Sequence, residues 1–234
     1  MLSSETPAGS INETVHPRWS AMWDAGLQVG DAFDTGTPSP CLLNEIANDR
    51  VPLGRALVPG CGRGYDVYAL ASPARVAVGV ELSETAMQAA RAFQYPCVTP
   101  ENATFKQGNF FELDPQDKFD FIYDYTFLCA LEPSVRPKWA RQMGELTKPG
   151  GLLLTLVFPI CEKIGGPPFA VNLQLVEDLL MTGPEAGKWK KEVLEILPPE
   201  LSHKGRDGGA QGFVQPGMIA GGSAFSGIGR WTRL

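Results

Sequence analysis

Residues 55–71 read RALVPGCGRGYDVYALA, an apolar run that stops at a glycine-rich turn and continues as a helical pattern. Residues 55–59 predict a short buried strand, residues 60–64 a turn and residues 65–71 a helix. Glycines in such a turn let a ligand approach unpaired backbone N–H groups closely. We therefore expect a polar ligand to bind on this turn.

The number of residues between the turn and the next acidic residue indicates the type of ligand. Residues 75–81 read RVAVGVE and predict a second buried strand that ends at Glu81. Glu81 follows Gly60 by 21 residues. The acid that holds a ribose diol in nucleotide-binding βαβ units follows the first glycine by about 20 residues. The pair therefore predicts an adenosine-type cofactor.

The spacing of the glycines distinguishes two classes of cofactor. Dinucleotide-binding enzymes space their glycines G-x-G-x-x-G, and the last glycine packs the helix close to the strand. Here Gly60, Gly62 and Gly64 form G-x-G-x-G, and Tyr65 stands where a dinucleotide site has glycine. This pattern disfavours NAD. It is typical of methyltransferases that use S-adenosylmethionine (SAM), a cofactor without phosphates.

Strands and helices alternate along most of the chain. Further strands are predicted at residues 103–107, 119–123 and 151–158, and further helices at 83–91, 133–146 and 171–181. Residues 188–197 fit either a strand or a short helix, and residues 228–234 fit a last strand. This order predicts an α/β fold, an open, mainly parallel sheet with helices on both faces. Ligands bind at the carboxyl edge of such sheets.

Composition narrows the class of protein. The chain has 234 residues, 44% of them hydrophobic, and a net charge of −6, which indicates a folded protein that does not bind nucleic acid. Its longest apolar runs are too short to cross a bilayer, and it begins without a secretory signal pattern, so we expect a cytoplasmic location and no membrane partner. The five cysteines are widely spaced and the only histidines are His16 and His203, so we expect no metal centre.

Four motifs carry a resemblance to a known family. They are LVPGCGRGYDVYALA at residues 57–71, VAVGVELSETA at 76–86, FDFIYDYTFLCALEP at 119–133 and GGPP at 165–168. Together they resemble the thiopurine S-methyltransferase superfamily, most closely its thiol and halide methyltransferase branch. The similarity spans residues 15–181, and a further short match lies at residues 229–231. It implies one Rossmann-like, class I SAM-dependent methyltransferase domain over residues 1–234, with a seven-stranded, mainly parallel sheet whose last strand is antiparallel.

The resemblance also implies a cofactor site for SAM, with S-adenosylhomocysteine as product. Its members are Trp19, Trp23, Phe33, Gly60, Gly62, Glu81, Asn109, Phe110 and Tyr125. The tryptophans belong to a lid helix at about residues 16–28, Glu81 holds the ribose hydroxyls, and Tyr125 lies beside the methyl donor. Asn109 and Phe110 hold the adenine, although relatives have Asp where this chain has Asn109. Aromatic faces suit a sulfonium cation because its charge is attracted to the ring quadrupoles.

The implied activity is transfer of a methyl group to a small thiol or to an anion such as thiocyanate or a halide, by a monomer or weak homodimer. A thiolate needs no protein base, since a thiol is already partly ionised at pH 7. An O- or N-methyltransferase of a larger metabolite is an alternative, with Asp124, Glu132 or Tyr125 as the base. Tyr125 and Asp124 are therefore the catalytic candidates. A SAM-binding protein without activity is a second alternative, because Asn109 departs from the family's acid and residues 183–226, which include the glycine-rich loop at about 201–226, align with no part of the family.

Overall fold

The computed structural model describes residues 19–31, 33–93, 99–203 and 225–234, and its strands form one sheet. The strands are β1 (Gly54–Pro59), β2 (Arg75–Glu81), β3 (Ala103–Gln107), β4 (Phe119–Tyr125), β5 (Thr147–Ile160), β6 (Trp189–Ile196) and β7 (Phe225–Arg233). The helices are α1 (Pro40–Ala47), α2 (Tyr65–Leu70), α3 (Glu84–Ala92), α4 (Arg136–Leu146) and α5 (Leu173–Met181). Residues 19–24 are also helical and are called the N-terminal helical segment.

The strands follow the order β3-β2-β1-β4-β5-β7-β6 across the sheet. Neighbours from β3 to β5 are parallel, whereas β7 runs antiparallel to both β5 and β6. The predicted seven-stranded, mainly parallel sheet with an antiparallel last strand is confirmed. Residues 189–196, left open between strand and helix, form β6. Because β7 reverses the direction, β6 ends at the same edge of the sheet as β1 to β5.

Apolar side chains cover both faces of the sheet, as the continuous apolar strands require. On one face Phe121, Tyr123 and Tyr125 of β4 belong to a core cluster with α1 and α2. On the other face Ile122 belongs to a cluster with α4 and α5 that includes the fully buried Trp139. Successive residues of β4 therefore point to opposite sides of the sheet.

Two helices begin with a serine cap. The Ser39 hydroxyl accepts a hydrogen bond from Leu42 N, and Pro40 occupies the first position of α1. The Ser83 hydroxyl accepts from Ala86 N at the start of α3. Each cap satisfies a backbone donor that the first helical turn leaves unpaired.

Several boundaries differ from the prediction. β4 continues to Tyr125 rather than ending at Tyr123, because Asp124 and Tyr125 pair with Thr155 and Leu156 of β5. α4 begins at Arg136 after a separate 3₁₀ turn, and β5 is longer at both ends than the predicted 151–158. Residues 16–18 of the predicted lid helix and residues 204–224 of the predicted glycine-rich loop lie outside the described residues. Among those described, no helix has the length and apolar character needed to cross a bilayer.

Candidate active site

A cavity of about 180 Å³ opens at the carboxyl edge of the sheet. The ends of β1, β2, β4 and β5, the loop after β3 and the N-terminal helical segment contribute to its wall. The residues predicted to bind the cofactor all line it, namely Trp19, Trp23, Phe33, Gly60, Gly62, Glu81, Asn109, Phe110 and Tyr125. Residues far apart in the sequence are thus brought to one site.

The glycine turn after β1 needs glycine for two different reasons. Gly60 has φ +61°, and a Cβ atom there would lie 2.6 Å from Cδ2 of Phe127, so any side chain would clash. Gly62 has φ +50°, and a Cβ atom would meet nothing nearer than Trp23, at 3.5 Å. Left-handed backbone of this kind is costly for residues with a Cβ atom. The turn is therefore held in a shape that exposes its backbone to the cavity.

The Glu81 carboxylate is fixed by three backbone donors. Oε1 accepts from Leu82 N at 2.8 Å and from Ser83 N at 3.1 Å, while Oε2 accepts from Gly62 N at 3.2 Å. A carboxylate has about four acceptor positions, so it can still receive a hydroxyl. The end of β2 and the glycine turn are joined through this one side chain, which places a negative group at the cavity wall.

Arg63 joins the N-terminal region to the glycine turn. Its Nε donates to Asp34 Oδ2 at 2.6 Å, and its Nη2 donates to the carbonyl of Leu27 at 2.9 Å. The guanidinium also lies over the Trp23 ring, 5.2 Å from the centroid. Asp34 in turn accepts from the Tyr65 hydroxyl at 2.7 Å. The segment that bears the predicted lid residues is thereby attached to the floor of the cavity.

Two aromatic rings from this region meet across the cavity wall. Trp19 and Phe33 contact each other edge to face, with centroids 5.0 Å apart. This contact connects the loop after the N-terminal helical segment to the segment itself.

Asn109 has local partners as well as its place in the cavity. Its Oδ1 accepts from Phe111 N at 3.0 Å and caps the 3₁₀ turn at Phe110–Glu112. Its Nδ2 donates to Glu112 Oε1 at 3.0 Å. An aspartate here would bring two carboxylates together. The amide of Asn109 therefore avoids a repulsion with Glu112 that an aspartate would introduce.

His203 lies in the cavity wall, although its sequence position gave no reason to place it there. Its Nδ1 lies 2.5 Å from the Tyr125 hydroxyl, and its ring stacks on Phe158 with centroids 3.9 Å apart. Burial lowers the pKa of His203 to about 4 and raises the pKa of Tyr125. Both side chains are therefore neutral near pH 7.

The sequence held one indirect signal for His203. The residue follows β6, and β6 ends at the ligand edge only because β7 is antiparallel between β5 and β6. Had residues 188–197 been assigned as a strand of that direction, the chain after it would have been expected near the cavity.

Asp124, predicted as a catalytic candidate, lies apart from the cavity. Its Oδ2 accepts from Trp139 Nε1 at 2.7 Å, its Oδ1 accepts from Leu128 N at 3.1 Å, and the side chain is buried. Because β4 extends through Tyr125, Asp124 and Tyr125 point to opposite faces of the sheet. Burial raises the pKa of Asp124 to about 6. Asp124 holds α4 to β4, and it is not positioned to touch a ligand in the cavity.

Asp66 and Cys129 are further ionisable side chains that line the cavity. Asp66, in the first turn of α2, accepts from Ser39 N at 2.8 Å, and burial raises its pKa to about 7. Cys129 is buried, and burial raises the pKa of its thiol well above the ordinary range. A buried thiol with a raised pKa is a poor nucleophile.

Comparison with known proteins gives relatives over most of the chain. Residues 15–207 match the family model described as Thiopurine S-methyltransferase. The chain is 41% identical over 201 residues to a probable thiol methyltransferase 2 of Arabidopsis thaliana, covering 77% of this chain and 88% of the relative. It is 40% identical over 182 residues to thiocyanate methyltransferase 1 of Brassica oleracea, covering 77% of this chain and 79% of the relative.

A solved structure gives an independent view of the fold. A SAM-dependent methyltransferase from Methanosarcina mazei superposes with a TM-score of 0.60 at 15% identity, covering 81% of this chain and 97% of that one. The fold is therefore that of class I SAM-dependent methyltransferases. With the match over residues 15–207 and relatives at about 40% identity, the chain belongs to the thiopurine S-methyltransferase family.

Proposed function

We propose that the protein is a SAM-dependent S-methyltransferase that methylates small thiols and small anions. The observation that carries the proposal is the glycine turn joined to Glu81 beside a cavity lined with aromatic rings, in a chain of this family. Relatives at about 40% identity are named thiol and thiocyanate methyltransferases. Their acceptors have in common a compact, polarisable nucleophilic atom.

The residues of the cavity fit SAM. Gly60 and Gly62 leave room for a ligand at the backbone of the turn, as the amino-acid part of SAM would require. Glu81 presents acceptor oxygens for a ribose diol, held by hydrogen bonds from Gly62, Leu82 and Ser83. When bound, SAM supplies a methyl group on a sulfonium sulfur that departs as a neutral thioether.

The aromatic residues would align and shield the reacting groups. Trp19, Trp23 and Tyr125 line the cavity, and aromatic faces attract a sulfonium cation. Excluding water removes the hydration shell that weakens an anionic nucleophile. Holding the nucleophile and the methyl group in line makes a bimolecular step effectively unimolecular. We propose that these two effects supply most of the rate enhancement.

An O- or N-methyltransferase remains the second candidate function. A hydroxyl acceptor needs a general base. Of Asp124, Glu132 and Tyr125, only Tyr125 lines the cavity. Two of the three candidate bases therefore lie outside the described cavity wall. A cytoplasmic location, a monomer or weak homodimer and the absence of nucleic acid partners stay predictions from the sequence.

The proposal is tested by calorimetric titration with SAM and S-adenosylhomocysteine, followed by a panel of thiocyanate, iodide and small thiols with detection of methylated product. Micromolar binding together with methylated thiocyanate or thiol is expected. Binding without any methylated product would favour the larger-acceptor function or a protein without activity. No binding of either compound would contradict the assignment of the glycine turn and Glu81.

A further inference from the structure

Tyr125 and His203 form the one side-chain pair in the described cavity wall that joins a phenol to an imidazole. The phenol Oη lies 2.5 Å from Nδ1 of the imidazole. Both side chains are more than nine-tenths buried, with 8% of Tyr125 and 7% of His203 exposed. Both line the cavity in which the acceptor must meet the methyl group. The contact is therefore available to a bound acceptor.

The imidazole is held in place from three directions. Its ring stacks on Phe158 of β5 with an interplanar angle of 22°, and the backbone N of His203 donates to Ser226 Oγ of β7 at 3.0 Å. Tyr125 belongs to β4, so its hydroxyl is fixed relative to the sheet. A pair built on three strands is positioned with the rigidity that proton transfer requires.

We propose that Tyr125 and His203 form a proton relay that deprotonates neutral thiol acceptors as they are methylated. This inference rests on the proposed S-methyl transfer. It extends the acceptor class from ready-made anions, which have no proton to lose, to thiols that arrive protonated. Only a few per cent of an ordinary thiol is ionised at pH 7, so removal of the proton in the site gives access to the rest of the pool.

The step moves one proton over two hydrogen bonds. In the tautomer that carries hydrogen on Nε2, Nδ1 of His203 accepts the hydrogen of the Tyr125 hydroxyl. The S–H bond of the thiol breaks, its proton passes to Tyr125 Oη, and the proton of Tyr125 passes to Nδ1. The sulfur keeps the electron pair that forms its bond to the methyl carbon. His203 becomes an imidazolium and returns the proton to water after the products leave.

Burial lowers the pKa of His203, so the imidazolium lasts only until its proton returns to water. Phe158 presents its ring face to His203, and a ring face stabilises a cation. The titratable groups that act on Tyr125 are Asp66 of α2, Cys129 after β4 and Cys41 of α1, and all three raise its pKa by disfavouring a phenolate. Tyr125 therefore passes the proton on and does not remain ionised.

The first test compares two acceptors in one enzyme. 2-Mercaptoethanol must lose a proton, whereas thiocyanate is an anion throughout the range from pH 6 to 9. For His203→Gln and for Tyr125→Phe we expect the ratio of kcat/KM for the thiol to that for thiocyanate to fall about 100-fold at pH 6.5. The deficit should shrink about tenfold per pH unit toward pH 8.5, because the variants use only thiolate that is already ionised. Taking the ratio cancels the titration of Asp66 and any loss of folded protein.

The second test needs no turnover. The chain has two histidines, so nitrogen NMR of histidine-labelled protein without cofactor gives two imidazole spin systems, and His203→Gln identifies one of them. We expect the His203 ring to stay neutral at pH 6 and its Nδ1 resonance to move when Tyr125 is replaced by Phe. A His203 ring that titrates near pH 6.5 and ignores Tyr125→Phe would overturn the relay.

The outcomes separate this inference from the proposed function. If thiocyanate is methylated and both variants lose activity equally on the two acceptors, or lose none, the relay is wrong and the methyltransferase function stands. If the unmodified protein methylates neither acceptor, the proposed function fails and the relay fails with it. A selective loss on the thiol supports both.

Discussion

The two ends of the cavity are built in different ways. The proposed cofactor end, defined by Gly60, Gly62 and Glu81, is made by neighbouring segments, and its linking hydrogen bond joins residues 19 apart in the sequence. The proposed acceptor end, defined by Tyr125, Phe158 and His203, is made by β4, β5 and the chain after β6. Its linking contact joins residues 78 apart. One end of the cavity therefore needs only residues close in sequence, whereas the other end forms only when the sheet is complete.

The contrast between the two ends shows which kind of site a short sequence motif can predict. At the proposed cofactor end the backbone itself would bind the ligand, so glycines at fixed spacing and one acid are a sufficient motif. The acceptor end is formed by side chains. Their contact depends on the order and direction of the last two strands. We therefore expect substitutions at the cofactor end to change SAM binding, and substitutions at the acceptor end to change the ratio of thiol to thiocyanate methylation.

The largest effect is expected at the cofactor end. Replacing Glu81 with Ala removes the acceptor for the ribose diol, where two charge-assisted hydrogen bonds are worth about 3 kcal/mol together. We expect the Kd for SAM to rise about 100-fold in calorimetric titration. Glu84→Ala, which removes an exposed carboxylate three residues further on, is the matched control and should bind SAM normally. Equal Kd values for the two variants would remove Glu81 from the site.

A second change tests whether the turn itself is specific. Gly60→Ala puts a Cβ atom 2.6 Å from Phe127 at φ +61°, and we expect the free energy of unfolding to fall by about 2 kcal/mol, with loss of SAM binding. Gly183→Ala is the control, since Gly183 has φ +58° and nothing within 4 Å of the added atom. Urea denaturation of both variants separates the clash from the backbone cost. Similar losses in the two would mean that Phe127 gives way.

A third substitution tests whether Asp124 has a structural role while its neighbour Tyr125 acts in the reaction. Asp124→Asn leaves one of two buried donors, Trp139 Nε1 or Leu128 N, without a good acceptor, and we expect a loss of about 1 to 2 kcal/mol in thermal or urea unfolding. The ratio of thiol to thiocyanate methylation should not change, in contrast to Tyr125→Phe. A selective loss of one acceptor would return Asp124 to the reaction.

The smallest effect is expected from restoring the family's acid. Asn109→Asp keeps the acceptor for Phe111 N but sets a carboxylate against Glu112 Oε1, now 3.0 Å from Asn109 Nδ2. We expect the Kd for SAM to change by less than about threefold, because repulsion offsets any gain at the adenine. The double variant Asn109→Asp with Glu112→Gln removes the repulsion. Tighter binding in the double variant alone would support this explanation.

The sequence predicted the sheet and the cofactor end more fully than the acceptor end. Buried strands appear as apolar runs, and Gly60 and Glu81 lie in a motif whose spacing has a physical cause. The end of β4 was missed because Asp124 and Tyr125 are not apolar, although both pair with β5. His203 was missed because no local pattern reports a contact across 78 residues.

The late position of β7 in the chain has a consequence for synthesis. The strands β1 to β5 are adjacent in the sheet and leave the ribosome first, whereas β7 comes last and pairs along the apolar β5. Until β7 arrives, the nascent protein presents β5 as an open edge on which another chain can pair. A message cut short before residue 225 therefore encodes an aggregation-prone polypeptide that still contains its whole glycine motif.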